Sequence, residues 1–180
     1  PNIRIEDVDR VHSQSVKLAN GGRLVLASQL RELAQPPEVA ANPHSLTGLD
    51  EVLTLKTTTN QRSPANAAQF ASGDLVLELD KNGDIVSRCD LYALLASNRT
   101  SYYSHLPDDR YTDYVSNYET LPTAWAGAAG LSYNPKTQTI AVAMAHQDAV
   151  VGLDRQGDGV KWLLADPQGW SPALSKKVLR

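Results

Sequence analysis

A segment that occurs twice constrains the fold of this chain more than any other feature of its sequence. Asp80-Lys-Asn-Gly83-Asp-Ile-Val86 aligns with Asp154-Arg-Gln-Gly157-Asp-Gly-Val160, and each follows an apolar run, about 74 residues apart. A looser pair of hairpins, residues 16–26 and 131–142, precedes the two segments. Each unit is therefore predicted to contain four antiparallel strands, and such units in tandem are typical of β-propeller blades. A β-sandwich is the alternative.

The rest of the ordered sequence reads as short strands joined by hairpin turns. The apolar and β-branched runs lie at residues 23–28, 75–79, 85–89, 139–143, 150–153 and 160–164. Turn residues such as Asn20-Gly21-Gly22 separate them, and Asn-Gly pairs accept the positive φ that tight hairpins require. Helical character is predicted only for Asp90 to Ser97, about two turns with Asp90 as the N-cap. We expect an all-β, propeller-like chain of about two four-stranded blades.

Long connections divide the chain unevenly. We predict a first blade over residues 1–97 with a long insertion at 29–74, a Tyr-rich connecting loop at 98–126, and a second blade over 127–180. Loops of this length are often functional lids. Tyr102 and Tyr103 are therefore candidates to contact an aromatic substrate, although packing of the loop itself is the other interpretation.

Composition excludes several classes of protein. The chain has 180 residues, a formal net charge of −3 and 42% hydrophobic residues. The absence of a basic surplus argues against a nucleic-acid partner, and no apolar run approaches the roughly 20 residues of a membrane span. The single cysteine, Cys89, cannot form an internal disulfide, and no Cys/His spacing is typical of a metal site. We expect no metal, nucleic acid or membrane partner.

Two blades alone leave open sheet edges, which favour association. We therefore expect the chain to need missing propeller blades or to form a homo-oligomer. The sequence begins at Pro1 without an initiator Met or an apolar leader. We interpret the chain as processed, trimmed or part of a longer protein.

The second predicted blade carries motifs of a known family. They are Thr123-Ala-Trp125-Ala-Gly127-Ala-Ala129, the turn Ser132-Tyr133-Asn134, the run Ala145-His146-Gln147, and Leu153-Asp154-Arg155 with the closing Lys161-Trp162-Leu163-Leu164. This pattern resembles the bacterial arylsulfate sulfotransferases, six-bladed propellers with considerably longer chains. In the first blade, Val11-His12-Ser13 before the Asn20-Gly21 turn resembles a histidine-bearing inner strand of that family.

The resemblance implies sulfuryl transfer between phenols through a sulfohistidine, without an adenylyl-sulfate donor. We accordingly expect a phenolic or aryl sulfate partner, no cofactor and, by resemblance alone, a periplasmic location. A sulfuryl group in transfer carries negative charge, which positioned cations and hydrogen-bond donors must stabilise. A neutral imidazole is a competent nucleophile near neutral pH.

Carried over residue by residue, the resemblance implies an incomplete site. His12 stands where the family has a channel histidine and is the candidate catalytic residue. Ala or Gly stands where the family has charged or polar groups, at Ala124, Gly127, Ala129 and Ala145. The family's nucleophilic histidine comes from a later blade, beyond Arg180. Each lost donor costs about 10²–10³ in rate, so we expect no useful turnover.

His146 is a candidate for substrate binding, with a turn-bonding role as the alternative. Two functions follow from these residues. The first is an arylsulfate sulfotransferase-like propeller segment that is catalytically incomplete. The second is a propeller module that binds or interacts without catalysis.

Overall fold

Two sheets, each a four-stranded antiparallel meander, make up most of the part of the chain that the structure describes. The structure is a computed structural model, and it describes residues 8–33, 69–95, 99, 122–156 and 159–179. The first sheet contains β1 (Arg10–Lys17), β2 (Arg23–Leu33), β3 (Gln69–Leu79) and β4 (Ile85–Asp90) in that order. A short strand, β5 (Thr123–Ala124), pairs in parallel with the beginning of β3.

The second sheet contains β6 (Ala128–Asn134), β7 (Thr139–Met144), β8 (Ala149–Asp154) and β9 (Val160–Ala165), also in sequence order. All of its pairings are antiparallel. Two four-stranded meanders confirm the prediction of an all-β chain with propeller-like blades. In the described part of the chain, neither sheet closes on itself.

Helices are short and begin at side-chain caps. In α1 (Leu91–Leu94), the Asp90 carboxylate accepts a hydrogen bond from the Ala93 amide, as predicted for an N-cap. The described helix is one turn long, shorter than the predicted two, and residues 96 and 97 lie outside the described residues. Ser171 caps α2 (Pro172–Ser175). Among the described residues, no helix has the length and apolar character to cross a membrane.

The predicted insertion at 29–74 is bordered by strand at both ends. β2 continues to Leu33 and β3 begins at Gln69, because their ladder runs unbroken from the pair Arg23–Leu79 to the pair Leu33–Gln69. The polar residues of this stretch concealed the strand, since backbone pairing does not require apolar side chains. Within the predicted loop at 98–126, β5 is strand. The remaining parts of both ranges lie outside the described residues, except residue 99 and residues 122–126.

The turns follow local chemistry. Asp80 Oδ1 accepts the amides of Asn82 at 2.8 Å and Asp84 at 2.9 Å. At Gly22, a Cβ would lie 2.4 Å from the Leu79 carbonyl oxygen, so only glycine fits where this turn approaches the end of β3. These contacts account for the sharp hairpin ends that the sequence predicts.

One hydrophobic core lies between the two sheets. Leu24, Leu26 and Val76 of the first sheet share it with Val142, Val151 and Leu163 of the second. Alternate residues of β2 and β3, including Val25 and Leu77, form a smaller cluster on the other face of the first sheet. Both faces of these strands are buried, which explains their nearly continuous apolar sequence.

An ion pair joins the sheets near the ends of β3 and β8. Arg155 Nη2 and Nε donate to the two Glu78 carboxylate oxygens at 2.6 and 2.9 Å. Arg155 Nη1 also donates to the Tyr133 hydroxyl at 2.8 Å. The Glu78 carboxylate is the main cause that raises the pKa of Arg155 further above its ordinary value.

Candidate functional site

The first strands of the two sheets lie side by side, and they bring His12 close to the Gly127 region. β1 lies against β6, and Asp74 of β3 joins them. Asp74 Oδ2 accepts a hydrogen bond from the Ala128 amide at 2.8 Å, while Asp74 Oδ1 lies 3.8 Å from His12 Nε2. Residues 12, 74 and 128 are therefore one cluster, although they are far apart in sequence.

Asp74 is the charged centre of this cluster. The residue is 0% exposed and stands opposite the equally buried Ser28 of β2. A carboxylate that is removed from water must be hydrogen-bonded or paired, because its desolvation is costly. The Ala128 amide supplies a hydrogen bond, and His12 supplies a partner whose charge depends on protonation. We call this cluster, His12, Asp74 and the Ala128 amide, the His–Asp unit.

The His–Asp unit places an imidazole beside a buried carboxylate. The His12 side chain is 10% exposed, so it is largely shielded from water. At 3.8 Å its ring nitrogen is within ion-pair distance of Asp74 but beyond hydrogen-bond distance. An imidazolium there would be attracted to the carboxylate by its charge.

His146 belongs to a turn that closes over Gly127. The 3₁₀ turn Ala145–Gln147 follows β7. His146 Nδ1 lies 2.8 Å from the Ala124 carbonyl oxygen, and since a carbonyl only accepts, Nδ1 is the donor. The His146 amide donates to the Ala126 carbonyl at 3.0 Å. These bonds fit the turn-bonding interpretation, while substrate binding by His146 stays a prediction.

Gly127 leaves no room for a side chain. Its φ is +58°, and a Cβ on it would lie 2.7 Å from His146 Cγ and 2.8 Å from Cδ2. A histidine at this position, as the family pattern would place it, requires the His146 ring or the backbone to move. Glycine at 127 and the bonded position of His146 therefore depend on each other.

Arg99 was not identified from the sequence. Its Nη1 donates to the Gln147 side-chain oxygen at 2.5 Å and to the Gln147 carbonyl at 3.0 Å. Its guanidinium lies 4.2 Å from the centre of the Trp170 ring. Burial lowers the pKa of Arg99, while Asp148 and Asp166 act in the opposite direction. By the family pattern, an arginine would be expected at position 145, where this chain has Ala145. Arg99 thus brings a positive charge to the same turn.

No sequence signal near residue 99 indicated this contact, because its partners lie about 50 to 70 residues further along the chain. The burial of Gln147, which is 0% exposed, was not predicted either. Its side-chain amide donates to the Trp125 carbonyl at 2.7 Å. Together Arg99 and Gln147 hold the 145–148 turn against the segment that precedes β6.

The tyrosines predicted to bind substrate, Tyr102 and Tyr103, lie outside the described residues, so their role stays a prediction. Among the residues that are described, no group of three or more His, Cys, Asp or Glu could hold a metal ion.

Comparison with known proteins agrees with the all-β fold. A model of the family described as Arylsulfotransferase (ASST) matches residues 16–180. The chain belongs to the arylsulfotransferase family. The match begins within β1 and covers both sheets of this arylsulfotransferase chain. A search of curated proteins found no match.

In this arylsulfotransferase family member, the matched region contains Asp74, Gly127 and His146, while His12 lies four residues before it begins. The prediction of an arylsulfotransferase resemblance is confirmed. The roles of individual site residues stay predictions that the His–Asp unit makes testable.

Proposed function

We propose that this chain is a catalytically incomplete arylsulfotransferase segment that holds the sulfuryl group of an aryl sulfate against His12. The observation that carries the proposal is the His–Asp unit, where Asp74 links the histidine-bearing strand to the second sheet. His12 is the residue that contacts substrate, and Asp74 is a positioning residue. The family membership supports an aryl sulfate or phenol as the small-molecule partner.

Three features support the absence of turnover. Gly127 cannot accept a side chain without displacing His146. Ala129 and Ala145 stand where the resemblance places polar or charged groups. Arg99, the cation beside the 145–148 turn, is already engaged with the oxygens of Gln147 and Gln168. Binding of the sulfuryl group is therefore expected without its efficient transfer.

Equilibrium binding of phenyl sulfate tests the contact. We expect His12→Asn to weaken binding about 10–100-fold, the range for losing one hydrogen bond to a charged group. Asp74→Asn keeps an acceptor for the Ala128 amide but removes the charge facing His12, so it should change the pH dependence of binding. Gly159→Ala is the control, because nothing lies within 4 Å of a Cβ at that position. Unchanged binding in His12→Asn would refute the proposal.

Mass spectrometry after incubation with phenyl sulfate tests the incompleteness. Transfer to a histidine would form an N–S bond, break the S–O bond to the ring and release phenolate, which takes a proton from water. We expect neither a histidine adduct nor phenol release. An adduct would show a working nucleophile and contradict the incompleteness. Binding of phenol without any preference for phenyl sulfate would favour the non-catalytic binding module.

We also propose that further propeller blades or a second copy of the chain cover the open sheets. By family resemblance alone, we propose in addition that the protein acts in the periplasm. On the outer strand β9, Leu164 is 56% exposed. Light scattering should show association that depends on concentration. A stable, cooperative monomer at all concentrations would contradict the first of these two proposals.

A further inference from the structure

A cleft lies between the two sheets, away from the His–Asp unit. Its volume is about 320 Å³. The apolar part of its wall comes from both sheets and from α1: Leu24, Val76, Leu94, Ile140 and Leu153. Neither His12, Asp74 nor His146 is among its lining residues. Clefts of this size with mostly apolar walls are typical of small-molecule sites.

The charged side chains that line this cleft already have partners: Arg88 donates to Gln29 Oε1, Asp90 accepts from the Ala93 amide, and the other three are ion-paired. Glu78 and Arg155 form a two-point ion pair, with side chains 13% and 21% exposed. Asp154 Oδ1 lies 3.3 Å from Lys161 Nζ. A charged ligand would therefore have to break one of these pairs or enter without a counter-charge, and both are unfavourable.

The register of β4 determines which of its side chains face the cleft. Ser87 and Cys89 pair with Glu78 and Val76, so they stand on the face of the first sheet that meets the second. Arg88, between them, stands on the other face, where its Nη2 donates to Gln29 Oε1 at 2.7 Å. β4 therefore brings a hydroxyl and a thiol to the cleft, while Arg88, which also borders the cleft, has its guanidinium bonded to Gln29.

We propose that the inter-sheet cleft binds a neutral, largely apolar small molecule with about the bulk of two fused rings. The apolar wall supplies the binding free energy through burial of ligand surface. The Ser87 hydroxyl can exchange a hydrogen bond with one polar group of the ligand. Selectivity for a neutral ligand follows because the charged lining residues are already engaged, Glu78, Arg155 and Asp154 in ion pairs and Arg88 and Asp90 in hydrogen bonds. This site does not depend on the function proposed for His12.

Cys89 is the single cysteine of the chain and lines the cleft, so it can report on occupancy. The probes are 2-naphthamide and 2-naphthoate, which match in shape but differ in charge. We measure the rate at which iodoacetamide alkylates Cys89 at increasing probe concentration, with calorimetric titration of the same probes in parallel. The amide should slow alkylation roughly tenfold at about nine times its half-protecting concentration. The carboxylate should protect far less.

Two variants of β4 that each introduce a tyrosine distinguish the effect of filling the cleft from a general effect of altering the strand. Ser87→Tyr fills the cleft and should abolish both protection and calorimetric binding, whereas Val86→Tyr, outside the wall, should preserve them. His12→Asn should bind the amide unchanged, which keeps this test separate from that of the aryl sulfate site. Equal binding of amide and carboxylate, no calorimetric binding of the amide, or binding retained in a folded Ser87→Tyr variant would overturn the proposal.

Discussion

At the scale of single residues, Gly127 shows how a small residue determines its surroundings. Its φ of +58° and its 2.7 Å approach to His146 both exclude a Cβ. His146 can then place Nδ1 against the Ala124 carbonyl. The residue that the resemblance marks as a lost histidine is thus also a structural requirement of this backbone.

Gly127→Ala should lower the free energy of unfolding by about 2–4 kcal/mol, because the left-handed backbone and the contact with His146 are both unfavourable for alanine. Gly159→Ala is the matched control and should stay within about 0.5 kcal/mol of the native protein, since space is open there. Urea denaturation measures both. Equal stability of the two variants would show that the 145–148 turn adapts to a side chain.

Asp80 provides a pH-dependent contribution at the first sheet's turn. The Asp84 amide is the main cause that lowers the pKa of Asp80, with help from the amides of Asn82 and Gly83. A lowered carboxyl pKa stabilises the fold above the ordinary value of about 3.9, and this contribution is lost as the pH falls through the folded-state value. Asp80→Asn should therefore lower the urea midpoint near neutral pH but have little effect in strong acid. A constant difference across this range would contradict the assignment.

At the scale of elements, the Glu78–Arg155 pair is the polar link between β3 and the end of β8. It combines two hydrogen bonds between charged groups with a third to Tyr133. Its low exposure, 13% and 21%, limits screening by water. The Lys161–Asp154 pair, at 32% and 37% exposure, lies within the second sheet and is more open to solvent.

A double-mutant cycle with Glu78→Gln and Arg155→Met should give a coupling free energy of about 1–3 kcal/mol. The same cycle with Lys161→Met and Asp154→Asn should give less than about 1 kcal/mol, as exposed pairs usually do. Chemical denaturation of the four variants in each cycle supplies the values. A coupling that is equal in both cycles would mean that the link between the sheets adds no more than a surface pair.

At the scale of the whole molecule, both sheets contribute to one shared core, and we therefore expect them to unfold as one cooperative unit. Leu26 and Val76 pack in the same cluster as Val142 and Val151. Neither sheet could bury these side chains alone. Loss of packing in one sheet should therefore also destabilise the other sheet.

Leu26→Ala should lower the free energy of unfolding by about 2–4 kcal/mol. The free energy of opening should fall by the same amount in both sheets. Hydrogen–deuterium exchange of peptides from β3 and β8 measures the two responses separately. Leu164→Ala is the control and should change either response by less than about 0.5 kcal/mol, because that side chain is 56% exposed. A response confined to β3 would show that the sheets unfold independently.

Local chemistry made much of the fold predictable. The apolar runs located six strands, the paired hairpins at 16–26 and 131–142 implied the first strand of each blade, and turn residues such as those around Gly21 and Asp80 separated them. The Asp90 cap was also predictable, since its partner is the Ala93 amide three residues away. β5 and the extensions of β2 and β3 were missed, because their pairing follows from neighbouring strands rather than from their own side chains.

The sequence by itself determined most of the strands, their turns and the meander order within each blade, and it singled out His12 as a candidate. Only the tertiary structure brought Asp74 and the Ala128 amide to His12, and Arg99 to Gln147. The physical reason is distance along the chain. Periodicity and capping act over a few residues, whereas a buried charge is satisfied by whichever group the packing of the two sheets places beside it.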